Sequence, residues 1–138
     1  MQLKTKICGI TNLQDAKLCE KLGADALGFI FFEGSKRYIN PEQVNQITQK
    51  LPTFITRVGV FVNELPENIN RISIEAGINC IQLHGEEPSE YINQIYFPCI
   101  KAFRVNPEFD YSLLSQYENC SILLDSFSNK NYGGTGIK

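Results

Sequence analysis

Two side chains in this sequence stand where acid–base chemistry would need them. Cys8 follows Lys6-Ile7 and precedes Gly9, and Asp125 follows Ile122-Leu123-Leu124. Each closes an apolar run that reads as a β-strand, so each falls at a strand's C-terminal end. A thiolate there is a strong base or nucleophile when nearby positive charge or a helix N-terminus favours it. The same position suits a buried core thiol, because cysteine is among the most buried residue types. A carboxylate beside an apolar run should lose hydration, which favours the protonated form that a general acid needs near neutral pH. An aspartate that only hydrogen-bonds the following turn would look the same. His84, the single histidine, closes another such run in Gln82-Leu83-His84-Gly85. It could donate to a ligand or pass protons, or be a partly exposed loop residue. Arg37, in Gly34-Ser35-Lys36-Arg37-Tyr38, carries a planar fork suited to a carboxylate, and a solvated surface arginine fits equally.

Other chemistries find less support. One histidine without a second ligand at metal spacing argues against a metal centre. The five cysteines, Cys8, Cys19, Cys80, Cys99 and Cys120, are scattered and form no C-x-x-C pair, so free thiols in a reducing cytosol are expected, with all but Cys8 packed in the core. Lys101 lies inside its strand, away from the strand end where a Schiff-base lysine would serve an aldolase. Net charge is −2, with no basic run beyond Lys36-Arg37, so neither nucleic acid nor an anionic membrane is an expected partner. No leader peptide and no apolar stretch near the ~20 residues of a membrane span can be read.

The elements that must position these residues alternate regularly. Strands are expected over residues 3–8, 25–32, 54–62, 79–83, 99–104 and 121–125. Helices are expected between them. The first is capped by Thr11 or Asn12 and closed by Gly23. The second is capped by Asn40 with Pro41 at its first position. The third runs from Pro66 to Gly77, the fourth from Pro88 to about residue 96, and the fifth from Pro107 to about residue 117. Strands alternating with helices specify a parallel sheet. A recurrence every 20 to 25 residues or so is the period of a TIM (β/α)8 barrel, whose chemistry sits at the C-terminal strand ends. A complete barrel takes eight units, about 200 to 250 residues. With 138 residues and six strands, the sequence is expected to form a single partial barrel domain, 1–138, lacking the last two units. Its first and last strands would then be open edges prone to self-association. Tyr132-Gly133-Gly134-Thr135-Gly136 is compatible with a lid or a phosphate-facing loop, though it lacks the Gly-Lys-Ser/Thr of a nucleotide loop.

Taken in order, these motifs resemble one family. Lys6-Ile7-Cys8-Gly9-Ile10-Thr11-Asn12, Gly23-Ala24-Asp25-Ala26-Leu27-Gly28-Phe29, Ser35-Lys36-Arg37-Tyr38-Ile39, Val58-Gly59-Val60-Phe61-Val62-Asn63, Ile81-Gln82-Leu83-His84-Gly85 and Leu123-Leu124-Asp125 with the following Tyr132-Gly133-Gly134-Thr135-Gly136 are similar to the strand ends of phosphoribosylanthranilate isomerases. The resemblance implies a cofactor-free Amadori rearrangement in tryptophan biosynthesis. N-(5-phosphoribosyl)anthranilate becomes 1-(2-carboxyphenylamino)-1-deoxyribulose 5-phosphate. It implies Cys8 as the general base at ribose C2 and Asp125 as the general acid at the furanose oxygen. Arg37 would contact the anthranilate moiety, and Gln82 and His84 would line the substrate pocket. Such a family member would be cytoplasmic, metal-free and dependent on a small phosphosugar-anthranilate substrate. Ile137-Lys138 departs from the Lys-Ser/Thr that often follows the lid glycines, and the phosphate-gripping loops after strands seven and eight are absent from this sequence. Two other readings stand beside this one: an inactive fragment or assembly partner of a barrel protein, and another phosphate-binding barrel enzyme such as an epimerase.

Overall fold

The computed structural model describes residues 2–126. The glycine-rich run at 133–136 therefore lies outside the described residues. Six strands, β1 (Lys6–Cys8), β2 (Ala26–Ile30), β3 (Thr56–Phe61), β4 (Cys80–Leu83), β5 (Cys99–Val105) and β6 (Ser121–Ser126), form one sheet in sequence order. Every adjacent pair is parallel. A doubly wound sheet would reverse its strand order at a switch point. This order never reverses, which is the winding of an incomplete (β/α)8 barrel.

Three α-helices follow the first three strands: α1 (Leu13–Lys21), α2 (Pro41–Thr48) and α3 (Pro66–Ala76). Local chemistry sets their ends. Asn12 accepts a hydrogen bond from the Asp15 amide at 2.8 Å and Asn40 one from the Gln43 amide at 2.9 Å, each satisfying a donor that the first turn leaves unpaired. Pro41 and Pro66 stand at first helical positions, where the missing N–H costs nothing. Gly23 and Gly77 take φ of 93° and 71° just beyond α1 and α3.

The fourth and fifth connections are not the α-helices that the sequence suggests. Ser89–Gln94 and Tyr111–Tyr117 are 3-10 segments. Tyr91 and Leu113 donate to carbonyls three residues back, on Pro88 and Asp110. The first segment is hemmed between Pro88 and Pro98, too short a span to repay the cost of an α-helical nucleus. The second is set by Asp110, whose carboxylate accepts from the Ser112 amide, so Pro107 lies outside it. Strand ends also retreat where side chains claim the backbone. Asp25 accepts from Lys4 Nζ and from the Thr5 amide, both at 2.8 Å, and β2 begins only after it.

The sheet has two apolar faces. The outer one packs Leu27, Phe29, Phe61, Ile81 and Leu83 against Ala16, Val44, Ile47, Ile69 and Ala76 of the helices. The inner one gathers Ile30, Val58, Val60 and Cys80, with Cys8, Phe32 and Ile100 against them. Period-2 alternation thus sends Cys8 and Gln82 to the inner face and Ile81 and Leu83 to the helices. Cys80 and Cys99 are buried as expected, and Cys19 and Cys120 pack partly buried against the outer core.

Candidate active site

Alternation along β1, β4 and β6 brings distant residues to one place. A cavity of about 270 Å³ opens at the C-terminal end of the inner face. Its lining includes Lys6, Cys8, Arg37, Gln82, His84 and Asp125. All five residues singled out from the sequence therefore share one wall, joined by Lys6.

Cys8 and Arg37 are held by glycines. Gly28 faces Cys8 across the β1–β2 ladder, and a Cβ on it would lie 2.8 Å from Cys8 Sγ. Only a bare backbone there leaves room for the thiol. Gly9 has φ of 90°, and a Cβ on it would meet Arg37 Cδ and Nη1 at 2.6 Å. The guanidinium crosses over this position, and its Nη1 donates to the Cys8 carbonyl at 2.9 Å. The Arg37 amide donates to Ser35 Oγ at 3.2 Å, and the Ile39 amide to the Ile30 carbonyl at 3.1 Å, which ties the loop back to β2. Arg37 is exposed, but it is not the free surface residue that its sequence also allowed.

His84 joins two strands. Gln82 Nε2 lies 2.8 Å from His84 Nδ1, and His84 Nε2 lies 3.2 Å from Asp125 Oδ2. Burial, which disfavours the charged ring, is the main cause of a His84 pKa below its ordinary value; Lys101 and Lys6 push the same way, while Asp125 opposes them. The imidazole is thus held neutral. The surroundings of Asp125 differ from those expected. Leu124 is 54% exposed and Ile122 38%, so the apolar run before it is not what encloses the carboxylate; His84 is its neighbour.

A network outside the cavity fixes the loop that carries His84. Lys101, placed by alternation on the outer face of β5, is buried, and its Nζ donates to the Gly85 carbonyl at 2.7 Å and to Glu87 Oε2 at 2.8 Å. Glu87 also accepts from the amides of Gly85 and Asn63 at 3.0 and 2.9 Å, and its carbonyl accepts from Tyr117 Oη. Its place inside a strand argues against a catalytic role for Lys101, but no pattern in the sequence announces this pairing. The Cys8–Gly28 fit was equally hidden, because a glycine in an apolar strand gives no sign of what it faces. Lys6 was within reach: it stands two residues before Cys8, on the same face.

Among the described residues, no group of three or more His, Cys, Asp or Glu side chains could hold a metal ion. Among them also, no helix is long and apolar enough to cross a membrane.

Comparison with known proteins converges on one family. The family profile described as N-(5'phosphoribosyl)anthranilate (PRA) isomerase matches residues 5–138. The chain is 45% identical over 133 residues to the N-(5'-phosphoribosyl)anthranilate isomerase of Citrifermentans bemidjiense, covering 96% of this chain and 65% of that protein. It superposes on the phosphoribosyl anthranilate isomerase of Thermotoga maritima with a TM-score of 0.91 at 44% identity, covering 99% of this chain and 67% of that one. A phosphoribosyl anthranilate isomerase in complex with reduced 1-(o-carboxyphenylamino)-1-deoxyribulose 5-phosphate gives a TM-score of 0.87 at 48% identity, over 91% of this chain and 66% of that one. The chain thus spans slightly less than two thirds of the first curated relatives it matches, for example 65% of the Citrifermentans protein.

Proposed function

The chain belongs to the N-(5'-phosphoribosyl)anthranilate isomerase family, and from that premise we propose that it forms the acid–base half of the isomerase site. The substrate would be N-(5-phosphoribosyl)anthranilate and the reaction its Amadori rearrangement in tryptophan biosynthesis. Asp125 gives its proton to the furanose ring oxygen as the C1–O bond breaks towards oxygen. The anilino nitrogen supplies the electron pair that makes C1=N. The Cys8 thiolate then takes the proton from C2, and that bonding pair becomes C1=C2 while the imine pair returns to nitrogen. The resulting enolamine becomes the ketoamine when the O2 proton is lost and C1 is protonated. Arg37, held over Gly9 at the mouth of the cavity, is the group we assign to the anthranilate carboxylate. Gln82 and His84 complete the wall. The observation that carries this reading is the shared cavity of Cys8 and Asp125, two residues 117 positions apart in the sequence.

The single partial domain proposed for residues 1–138 holds this half of the site. The edges of β1 and β6, unpaired among the described residues, are the surfaces through which we infer that the chain self-associates. Its five free thiols and its family suit a cytoplasmic setting.

The test is the loss of substrate fluorescence, with the chain mixed with a polypeptide supplying the remaining third of a relative's length. Cys8→Ala and Asp125→Asn should each lower kcat by roughly 10²- to 10⁴-fold, the usual worth of a positioned acid or base. Turnover that survives both substitutions would remove the assignment.

A further inference from the structure

Gln82 is 2% exposed, yet its Oε1 has no hydrogen-bond partner among the described residues. A buried amide with an unmade acceptor is costly. Its Nε2 lies 2.8 Å from His84 Nδ1, and the opposite ring nitrogen lies 3.2 Å from Asp125 Oδ2. The ring cannot choose its tautomer independently of these neighbours. An amide N–H facing Nδ1 requires a lone pair there, which leaves the neutral ring's one proton on Nε2.

We propose that Gln82 is a positioning residue for the acid: its amide, donating to His84 Nδ1, fixes the imidazole proton on Nε2, where it meets the Asp125 carboxylate. This deepens the reading above and rests on Asp125 acting as the general acid. Once Asp125 has given its proton to the ring oxygen, a negative charge stands on its carboxyl group. A hydrogen bond from Nε2–H is stronger to that carboxylate than to the neutral acid, so it favours the state in which the proton has left. The other tautomer would turn a lone pair towards Asp125. That lone pair would accept the acid's proton and compete with the sugar for it.

The ring is suited to donate without being a rival base. Burial keeps it neutral, and Lys6 and Lys101 add positive charge near it. Cys8 and Arg37 share its cavity, and Asp125 is the acidic group that faces it there. No other hydrogen bond holds the Gln82 side chain among the described residues, so the amide's orientation and the ring's tautomer are decided together.

His84 is the only histidine, so the ring nitrogens of a tag-free, 15N-histidine-labelled chain give one unambiguous pair of resonances. At neutral pH we expect a single tautomer, with Nε2 protonated and Nδ1 bare. Gln82→Leu should yield a mixture of tautomers. Gln82→Glu, whose carboxylate can only accept, should bring a proton onto Nδ1. A wild-type ring protonated on Nδ1, or a wild-type mixture, overturns the proposal. So does either variant keeping the wild-type pattern. If both variants fail to fold, the wild-type spectrum still decides. The readout is independent of turnover: a wrong tautomer leaves the roles of Cys8 and Asp125 standing, and active Cys8 and Asp125 variants would leave the tautomer standing.

Discussion

Gly9 and Arg37 constrain each other. The positive φ of Gly9 suits glycine, and the space where a Cβ would stand is filled by the Arg37 side chain. Gly9→Ala is therefore expected to cost about 1–3 kcal/mol in urea unfolding, from backbone strain together with the displaced guanidinium. It should also raise KM more than it lowers kcat, because Arg37 is assigned to binding. The thiols separate by environment. Burial, with Cys120 and Cys80 nearby, pushes Cys99 up to about 12. Peptide-resolved alkylation at about pH 9.5, where an ordinary thiol near 8.5 is mostly thiolate, should leave Cys99 unmodified in the folded chain and modify it in urea. His84 sets a pH dependence of its own. Its folded pKa lies below the unfolded value of about 6.5, so between the two the unfolded chain binds the extra proton. Stability contributed by the neutral ring is present above the unfolded value and is lost as pH falls through the folded one. Unfolding free energies measured from about pH 7.5 to about pH 5 should fall more steeply for the wild type than for His84→Asn.

At the scale of elements, the loop after β4 is held by a buried ion pair rather than by a helix. Lys101 and Glu87 have side chains only 3% and 0% exposed. Removing one partner of such a pair leaves a buried charge uncompensated, typically at a cost of about 3–5 kcal/mol. Lys101→Met should therefore destabilise strongly. Lys101→Met with Glu87→Gln should recover part of the loss, and urea midpoints of the three proteins would show it. This is also where the sequence stops being legible. Strand order, a first cap at Thr11 or Asn12, the Asn40 cap and the prolines at the heads of α2 and α3 follow from local rules, and the structure keeps them, with Asn12 as the first cap. Period 2 alone sends Cys8 and Gln82 to one face. What local rules miss depends on partners far along the chain: Gly85 and Glu87 reaching Lys101, Gly28 emptied for Cys8, and two prolines that promise α-helices beside segments too short or too otherwise engaged to form them.

At the scale of the molecule, the unresolved demand is the outer face beside the sheet edges. Among the described residues, β1 and β6 each pair on one side only. Ile7, Ile122 and Leu124 are 39%, 38% and 54% exposed, whereas Leu27 opposite Ile7 and Lys101 opposite Ile122 are buried and Phe103 opposite Leu124 is half-buried. In this family's barrel winding those faces lie beneath helices. A parallel sheet with apolar side chains exposed beside its edges, and among the described residues with backbone donors and acceptors open along β1 and β6, is a template for pairing with another chain. The 138-residue chain made alone is expected to sediment as a concentration-dependent assembly rather than as one species. Ile122→Lys with Leu124→Lys should shift it towards monomer without altering the His84 tautomer, since both side chains lie on the face of β6 opposite Asp125. A supplied segment that covers β6 should have the same effect and should restore turnover at the same time. If the assembly persists after the lysines are introduced, the contact lies elsewhere. If the segment dissolves the assembly without restoring turnover, edge pairing and site completion are separate events.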